Sequence, residues 1–200
     1  MKIVKQSASA VAVVAALLNN GGVVICPTDT VYGFLADAQN KKAVEKIYRI
    51  KKRPKSKPLP VFVSSLKMAQ EISHIDVRTK KILKKYWPGP YTFIVKRKDI
   101  KYSIFLKAFK KMLYGVEKET IALRIPKHQF LQKLLKKVNR PLVQTSVNIS
   151  SKDSLNNISD ILATFGKSKL VGLIIDGGDI KKANPSKVMD LTKVVLTRLR

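Results

Sequence analysis

The chain Pro27-Thr28-Asp29-Thr30-Val31-Tyr32-Gly33 follows an apolar run of strand character. Pro27 cannot donate to a sheet ladder, so the strand ends there and a turn follows. The hydroxyls of Thr30 and Tyr32 are of the kind that orient a small polar ligand by hydrogen bonding. A polar turn leading into a helix has the same composition. A second stretch, Lys51-Lys52-Arg53-Pro54-Lys55-Ser56-Lys57-Pro58, sets five cations within eight residues. Arg53 can grip a phosphate through two N–H groups, and Lys51 and Lys57 add point charges. A solvated basic loop would read alike. The chain has neither G-x-x-x-x-G-K-[ST] nor G-x-G-x-x-G, so nucleotide binding would need another scaffold.

Further polar groups sit where apolar strands end. Arg124, in Leu123-Arg124-Ile125-Pro126, is costly inside a strand unless it faces a cleft or an anion. It would otherwise be an inward-pointing guard on an edge strand. Ser146 and Asn148 lie two apart at the end of another strand and point the same way if it continues. Trp87-Pro88-Gly89-Pro90 reads as a rigid turn anchored by the only Trp. Asp176-Gly177-Gly178-Asp179 and Pro185-Ser186 read as two more turns. No Ser/His/Asp triad, cysteine-nucleophile context or paired-carboxylate motif is evident, and His74 and His128 are expected at the surface. The inventory suits a site that binds and orients anions with little proton shuttling.

These groups need a frame. The 200 residues carry 40 Lys and Arg against 13 Asp and Glu, a net charge of +27, with 45% hydrophobic residues. That apolar share is globular, not disordered. One Cys excludes a disulfide framework and, with only two His, argues against a Cys/His zinc site, so no metal is expected on the protein and a reducing, cytoplasmic setting is the default. The charge suggests polyanionic partners without choosing among them. Strands are expected at 23–26, 59–63, 91–95, 120–125, 142–146, 171–175, 187–191 and 194–199. Helices are expected at 9–18, 41–50, 66–72, 78–86, 127–138 and 159–165. Interleaved strands and helices argue for an α/β fold. One domain over residues 1–200 is expected, with 96–118 as an insertion or mobile segment. Residues 8–18 could mimic the apolar part of a secretory leader, but the run is too short to span a bilayer and reads as a buried helix capped by Ser7 or Ser9.

Taken in order, the pieces resemble the YrdC/TsaC family of threonylcarbamoyl-AMP synthases. The matching residues are Cys26 to Gly33, Lys51-x-Arg53 with Lys57-Pro58-Leu59, Trp87 to Pro90, Thr120-x-x-x-Arg124-x-Pro126, Ser146-x-Asn148, Asp176-Gly177-Gly178, and Pro185-Ser186 with Asp190. The resemblance spans residues 10–198. It implies a twisted mixed sheet with flanking helices around a positively charged central cavity. It implies that L-threonine, bicarbonate and ATP, with Mg²⁺ on the phosphates, form threonylcarbamoyl-adenylate and pyrophosphate. The product would serve the threonylcarbamoyladenosine modification beside the tRNA anticodon, through a TsaD-type transferase complex.

By the same resemblance, Thr30, Tyr32, Arg124 and Ser186 would hold threonine. Arg53, Lys57, Thr120, Ser146, Asn148, Ser154 and Arg198 would hold ATP. Lys51, Arg53 and Arg124 would supply the charge that the reaction needs. The sequence departs from the family at Ser-Val-Asn over 146–148, at Lys187, at Phe62 where many members have His, and at the Arg198-Leu199-Arg200 ending. The ending implies the short form, without the family's extra C-terminal domain. Two alternatives stand beside the enzyme. One is a non-catalytic RNA-binding module of the same fold that serves tRNA or rRNA maturation through its basic surface. The other is the related carbamoyl-adenylate chemistry of hydrogenase maturation proteins.

Overall fold

The computed structural model describes residues 2–98, 112–180 and 184–193, and the backbone of 197–198. The expected mobile segment at 96–118 lies largely outside them, as does most of the expected strand at 194–199.

The strands are β1 (Lys2–Lys5), β2 (Val24–Cys26), β3 (Gly33–Asp37), β4 (Val61–Phe62), β5 (Tyr91–Lys96), β6 (Thr120–Arg124), β7 (Leu142–Ser146), β8 (Leu173–Asp176), β9 (Lys187–Asp190) and β10 (Thr197–Arg198). The helices are α1 (Ala10–Asn19), α2 (Lys41–Lys51), α3 (Leu66–Ile72), α4 (Val77–Tyr86), α5 (Gln129–Val138) and α6 (Ile158–Phe165). The strands form one sheet in the order β1-β8-β2-β3-β7-β4-β6-β5-β9-β10. It is mixed: β1, β8 and β2 run parallel, β2-β3-β7-β4 antiparallel, and β4 pairs β6 in parallel.

Alternation along the strands splits the apolar residues into two cores. Ile25, Phe34, Val61, Val143 and Ile174 face one core, where residues of α2, α3, α4 and α6 pack. Val24, Cys26, Leu35, Phe62, Leu142, Leu173 and Ile175 face the other, under α1 and α5. The α5 stripe of Phe130, Leu131, Leu134, Leu135 and Val138 is buried as its spacing requires. Ser7, rather than Ser9, caps α1, by accepting from the Ala10 N–H at 3.2 Å. Cys26 is fully buried, and burial pushes its thiol pKa well up.

Two strands depart from the sequence reading. Residues 33–37 form β3 where a turn into a helix was the open alternative. β3 lies inside the sheet and is buried on both faces, so it shows no polar alternation. Lys2–Lys5, which resembles the charged start of a leader, is the edge strand β1 paired with β8. No helix among the described residues is long and apolar enough to cross a membrane.

Candidate functional site

Each polar segment singled out in the sequence is held by a specific local device. In the 27–31 turn, the Thr28 hydroxyl donates to the Val31 carbonyl at 2.7 Å and accepts from the Thr30 and Val31 N–H groups. This closed hydroxyl turn fixes Thr30, whose Oγ1 lies 3.0 Å from that of Thr28. Tyr32 is fully buried. Its hydroxyl donates to the Gly178 carbonyl at 2.7 Å and accepts from the Gly177 N–H at 3.0 Å. Burial pushes its pKa up. Gly178 has φ +77°, which favours glycine there. Tyr32 therefore locks the 176–178 turn and does not line the cavity.

Arg124 ends β6, almost wholly buried, with Phe62 as its β4 partner. The guanidinium carbon lies 5.6 Å from the Phe62 ring centroid. Nε donates to the Gly89 carbonyl at 3.0 Å, Nη1 to Thr30 Oγ1 at 3.1 Å and Nη2 to Asp29 Oδ1 at 2.5 Å. Burial lowers the guanidinium pKa, and Asp29 opposes that shift. The Trp87–Pro90 turn has a definite task here: it presents the Gly89 carbonyl to Arg124. Trp87 Nε1 donates to the Tyr91 carbonyl, and Gly89 N–H to that of Ile125. A Cβ at Gly89 would meet the Tyr86 carbonyl oxygen at 2.5 Å, so the turn closes only over glycine.

Arg53 is half-buried just past α2, which ends on Lys52 in the left-handed region. Its Nε donates to the Lys57 carbonyl at 3.0 Å and its Nη2 to the Pro58 carbonyl at 2.9 Å. Burial lowers its pKa. Lys51, by contrast, is 1% exposed. Its ammonium donates to the Ser146 carbonyl at 2.6 Å, the Asn148 carbonyl at 2.9 Å and Asn148 Oδ1 at 2.7 Å. Burial, with Arg53 adding like charge, pulls it down to about 7. Asn148 Oδ1 also accepts from Ser146 Oγ at 2.7 Å, and its amide donates to the carbonyls of Ile149 and Lys152. Lys51 and Asn148 thus shape the end of β7 from beneath.

A cavity of about 320 Å³ gathers several of these groups. Thr30, Arg53, Arg124, Ser146, Ser154 and Ser186 line it, together with Gln144 and Thr145, and no carboxylate does so among the described residues. Ser186 Oγ lies 2.9 Å from Thr92 Oγ1. Two arginines and a set of hydroxyls make it a receptor for an anion with hydrogen-bonding substituents.

The other predicted residues fall elsewhere. Lys57 is exposed beside the cavity, and its carbonyl holds Arg53. Thr120 shares the Arg124 face of β6 but sits four residues away, about 13 Å along a strand. It lines a separate open cleft with His74, Lys96, Arg97, Lys98 and Lys118, not the cavity. The Arg198 side chain lies outside the described residues. His74 is exposed as expected. His128 is half-buried and caps α5, with Nδ1 accepting from the Leu131 N–H. Burial lowers its pKa, against the pull of Asp29. Sequence reasoning missed Asp29 as the partner of Arg124, and Gln144 as a lining residue. A lone Asp beside two hydroxyls in a turn gave no sign of which cation it would meet.

A family model described as "Telomere recombination", Sua5/YciO/YrdC, matches residues 16–200. A protein of Methanocaldococcus jannaschii is 36% identical over 172 residues, 86% of this chain and 75% of that one. The threonylcarbamoyl-AMP synthase of Pyrococcus abyssi is 30% identical over 183 residues, 90% of this chain and 50% of its own length. The crystal structure of P. abyssi Sua5 complexed with L-threonine superposes at a TM-score of 0.83, with 27% identity, over 100% of this chain and 56% of that one. The chain thus spans about half the length of the P. abyssi protein.

Proposed function

The chain belongs to the Sua5/YciO/YrdC family, and we infer that it is a threonylcarbamoyl-AMP synthase that uses L-threonine, bicarbonate and ATP. The observation that carries this reading is the cavity, lined by Arg53, Arg124 and five hydroxyl side chains, and by no carboxylate among the described residues. Such a lining suits a substrate pair that brings one carboxylate and a polyphosphate. The P. abyssi relative bound to L-threonine supports the choice of amino acid.

In this reading Arg124 pairs with the threonine carboxylate, and the hydroxyls of Thr30 and Ser186 orient the rest of the molecule. Arg53 holds the ATP phosphates with Lys57 nearby, and Ser146 and Ser154 contact the nucleotide. Lys51, Tyr32 and Asn148 act through the groups they hold. The threonine amine bonds to the bicarbonate carbon, and water leaves. A carbamate oxygen then displaces pyrophosphate at the α-phosphorus, giving threonylcarbamoyl-adenylate. Negative charge shifts among oxygens throughout, so fixed cations in a partly enclosed cavity are the groups that lower the barrier. Mg²⁺ enters with ATP as part of the substrate. The lining offers the phosphates cations and hydroxyls, and the phosphate oxygens would hold the ion. The product would pass in the cytoplasm to a TsaD-type complex that modifies tRNA beside the anticodon.

Pyrophosphate release from ATP tests the reading. It should require both L-threonine and bicarbonate. Release that ignores threonine sinks it.

A further inference from the structure

Among the described residues Asp29 is the one carboxylate in contact with the cavity's arginines, and the reading above gives it no contact with substrate. Its side chain is 10% exposed. Oδ1 accepts from Arg124 Nη2 at 2.5 Å, and Oδ2 accepts from the Lys127 backbone N–H at 2.9 Å. Each oxygen accepts one of these bonds, so the carboxylate is held at both ends. It ties the 27–31 turn to the segment that leaves β6, two walls 95 or more residues apart in sequence.

The consequence falls on Arg124. A guanidinium has five N–H groups. Gly89, Thr30 and Asp29 take three of them, and the Phe62 ring packs against the carbon. Among the described residues this leaves one N–H on each terminal nitrogen. Two such groups match the two oxygens of a carboxylate. Gly89 holds Nε and Thr30 holds Nη1, while among the described residues Asp29 alone holds Nη2, with the one charge-to-charge bond of the three. Without Asp29 the Nη2 end has no bond, the guanidinium can tilt about the Cδ–Nε bond against two neutral acceptors, and the pair loses its aim.

We propose that Asp29 is the positioning residue that sets the angle of Arg124 for the carboxylate of the amino-acid substrate. The proposal rests on the threonine reading above. It also makes a prediction whose sign separates it from simple electrostatics. Removing a negative charge beside Arg124 should strengthen its attraction for a carboxylate if charge alone mattered. If aim matters, binding weakens instead.

The test compares Asp29→Asn with the wild type in the pyrophosphate-release assay, varying threonine and ATP separately. The threonine KM should rise about 10- to 100-fold, as for a lost hydrogen bond to a charged group. The ATP KM should stay within about twofold. In an Arg124→Lys background, which has no planar fork to aim, Asp29→Asn should add no further rise in threonine KM. An unchanged or lower threonine KM overturns the proposal. So does an equal rise in both KM values together with a lower unfolding midpoint, which would mark a purely structural pair. Threonine-independent release by the wild type overturns the functional reading and this inference together. Threonine-dependent release with an unmoved threonine KM in Asp29→Asn overturns this inference alone.

Discussion

The two cavity arginines are held in opposite ways. Arg124 is buried and bonded to groups from two distant parts of the chain: Gly89, 35 residues away, and the 27–31 turn, 94 and 95 residues away. Arg53 is half-exposed, and among the described residues its side chain donates only to carbonyls four and five residues ahead in its own loop. The first geometry exists only once the whole sheet has formed. The second needs little beyond the loop itself. An arginine fixed by the whole sheet suits a small carboxylate that is always placed alike, and one fixed by its own loop suits the larger, more exposed phosphates. At the loop's root this contrast reverses. Lys51 is as deeply buried as Arg124 and reaches carbonyls 95 and 97 residues away.

Substitutions along this contrast should fall in a definite order. Arg124→Ala strips Asp29 of its buried cation and should cost about 3–5 kcal/mol of stability, seen as an earlier denaturant midpoint. If the midpoint stays put, the corner is not the preorganised element described here. Lys51→Met keeps volume but removes three donated hydrogen bonds, and should cost about 3 kcal/mol. Its pH signature is distinct. The folded-state pKa near 7 lies below the ordinary 10.5, so the unfolded chain binds more protons between those values. Wild-type stability should therefore gain a component that rises with pH above about 7, and Lys51→Met should lack it. Denaturant titrations across that range would read the difference, and identical slopes would break the assignment. Arg53→Ala should leave stability within about 1 kcal/mol, as for an exposed polar contact. It should raise the ATP KM about 10- to 100-fold, as for a lost charge-assisted contact. A larger loss of stability than of ATP affinity would erase the contrast between the two arginines.

Much of this was legible in the sequence because the polar groups interrupt apolar patterns. Arg124 stands out within Ile121, Leu123 and Ile125, and the α5 stripe fixes its own buried face. What stayed hidden was pairing at long range. Nothing local links Asp29 to Arg124, Tyr32 to the Gly177–Gly178 turn, or Lys51 to Asn148. These contacts arise because the strand order β8-β2-β3-β7-β4-β6 brings together strand ends that are far apart in sequence. β3 itself was hidden for a related reason. A strand covered on both faces has no alternation to betray it, and Gly33-Phe34-Leu35-Ala36 reads equally as a buried helical turn. Thr120 shows the converse: a shared strand face does not place its two ends in one cavity.

The buried Cys26 gives the molecule a clock. Its thiol has no solvent exposure and a strongly raised pKa, and it sits on β2 directly before the Pro27 turn. A thiol reagent can reach it only when that strand leaves the sheet, so the labelling rate counts openings of the very segment that carries Thr30 and Asp29. Ligands that bind the closed cavity must slow that count in proportion to their occupancy. A single sulfur, silent in the chemistry, thereby reports how often the site comes apart.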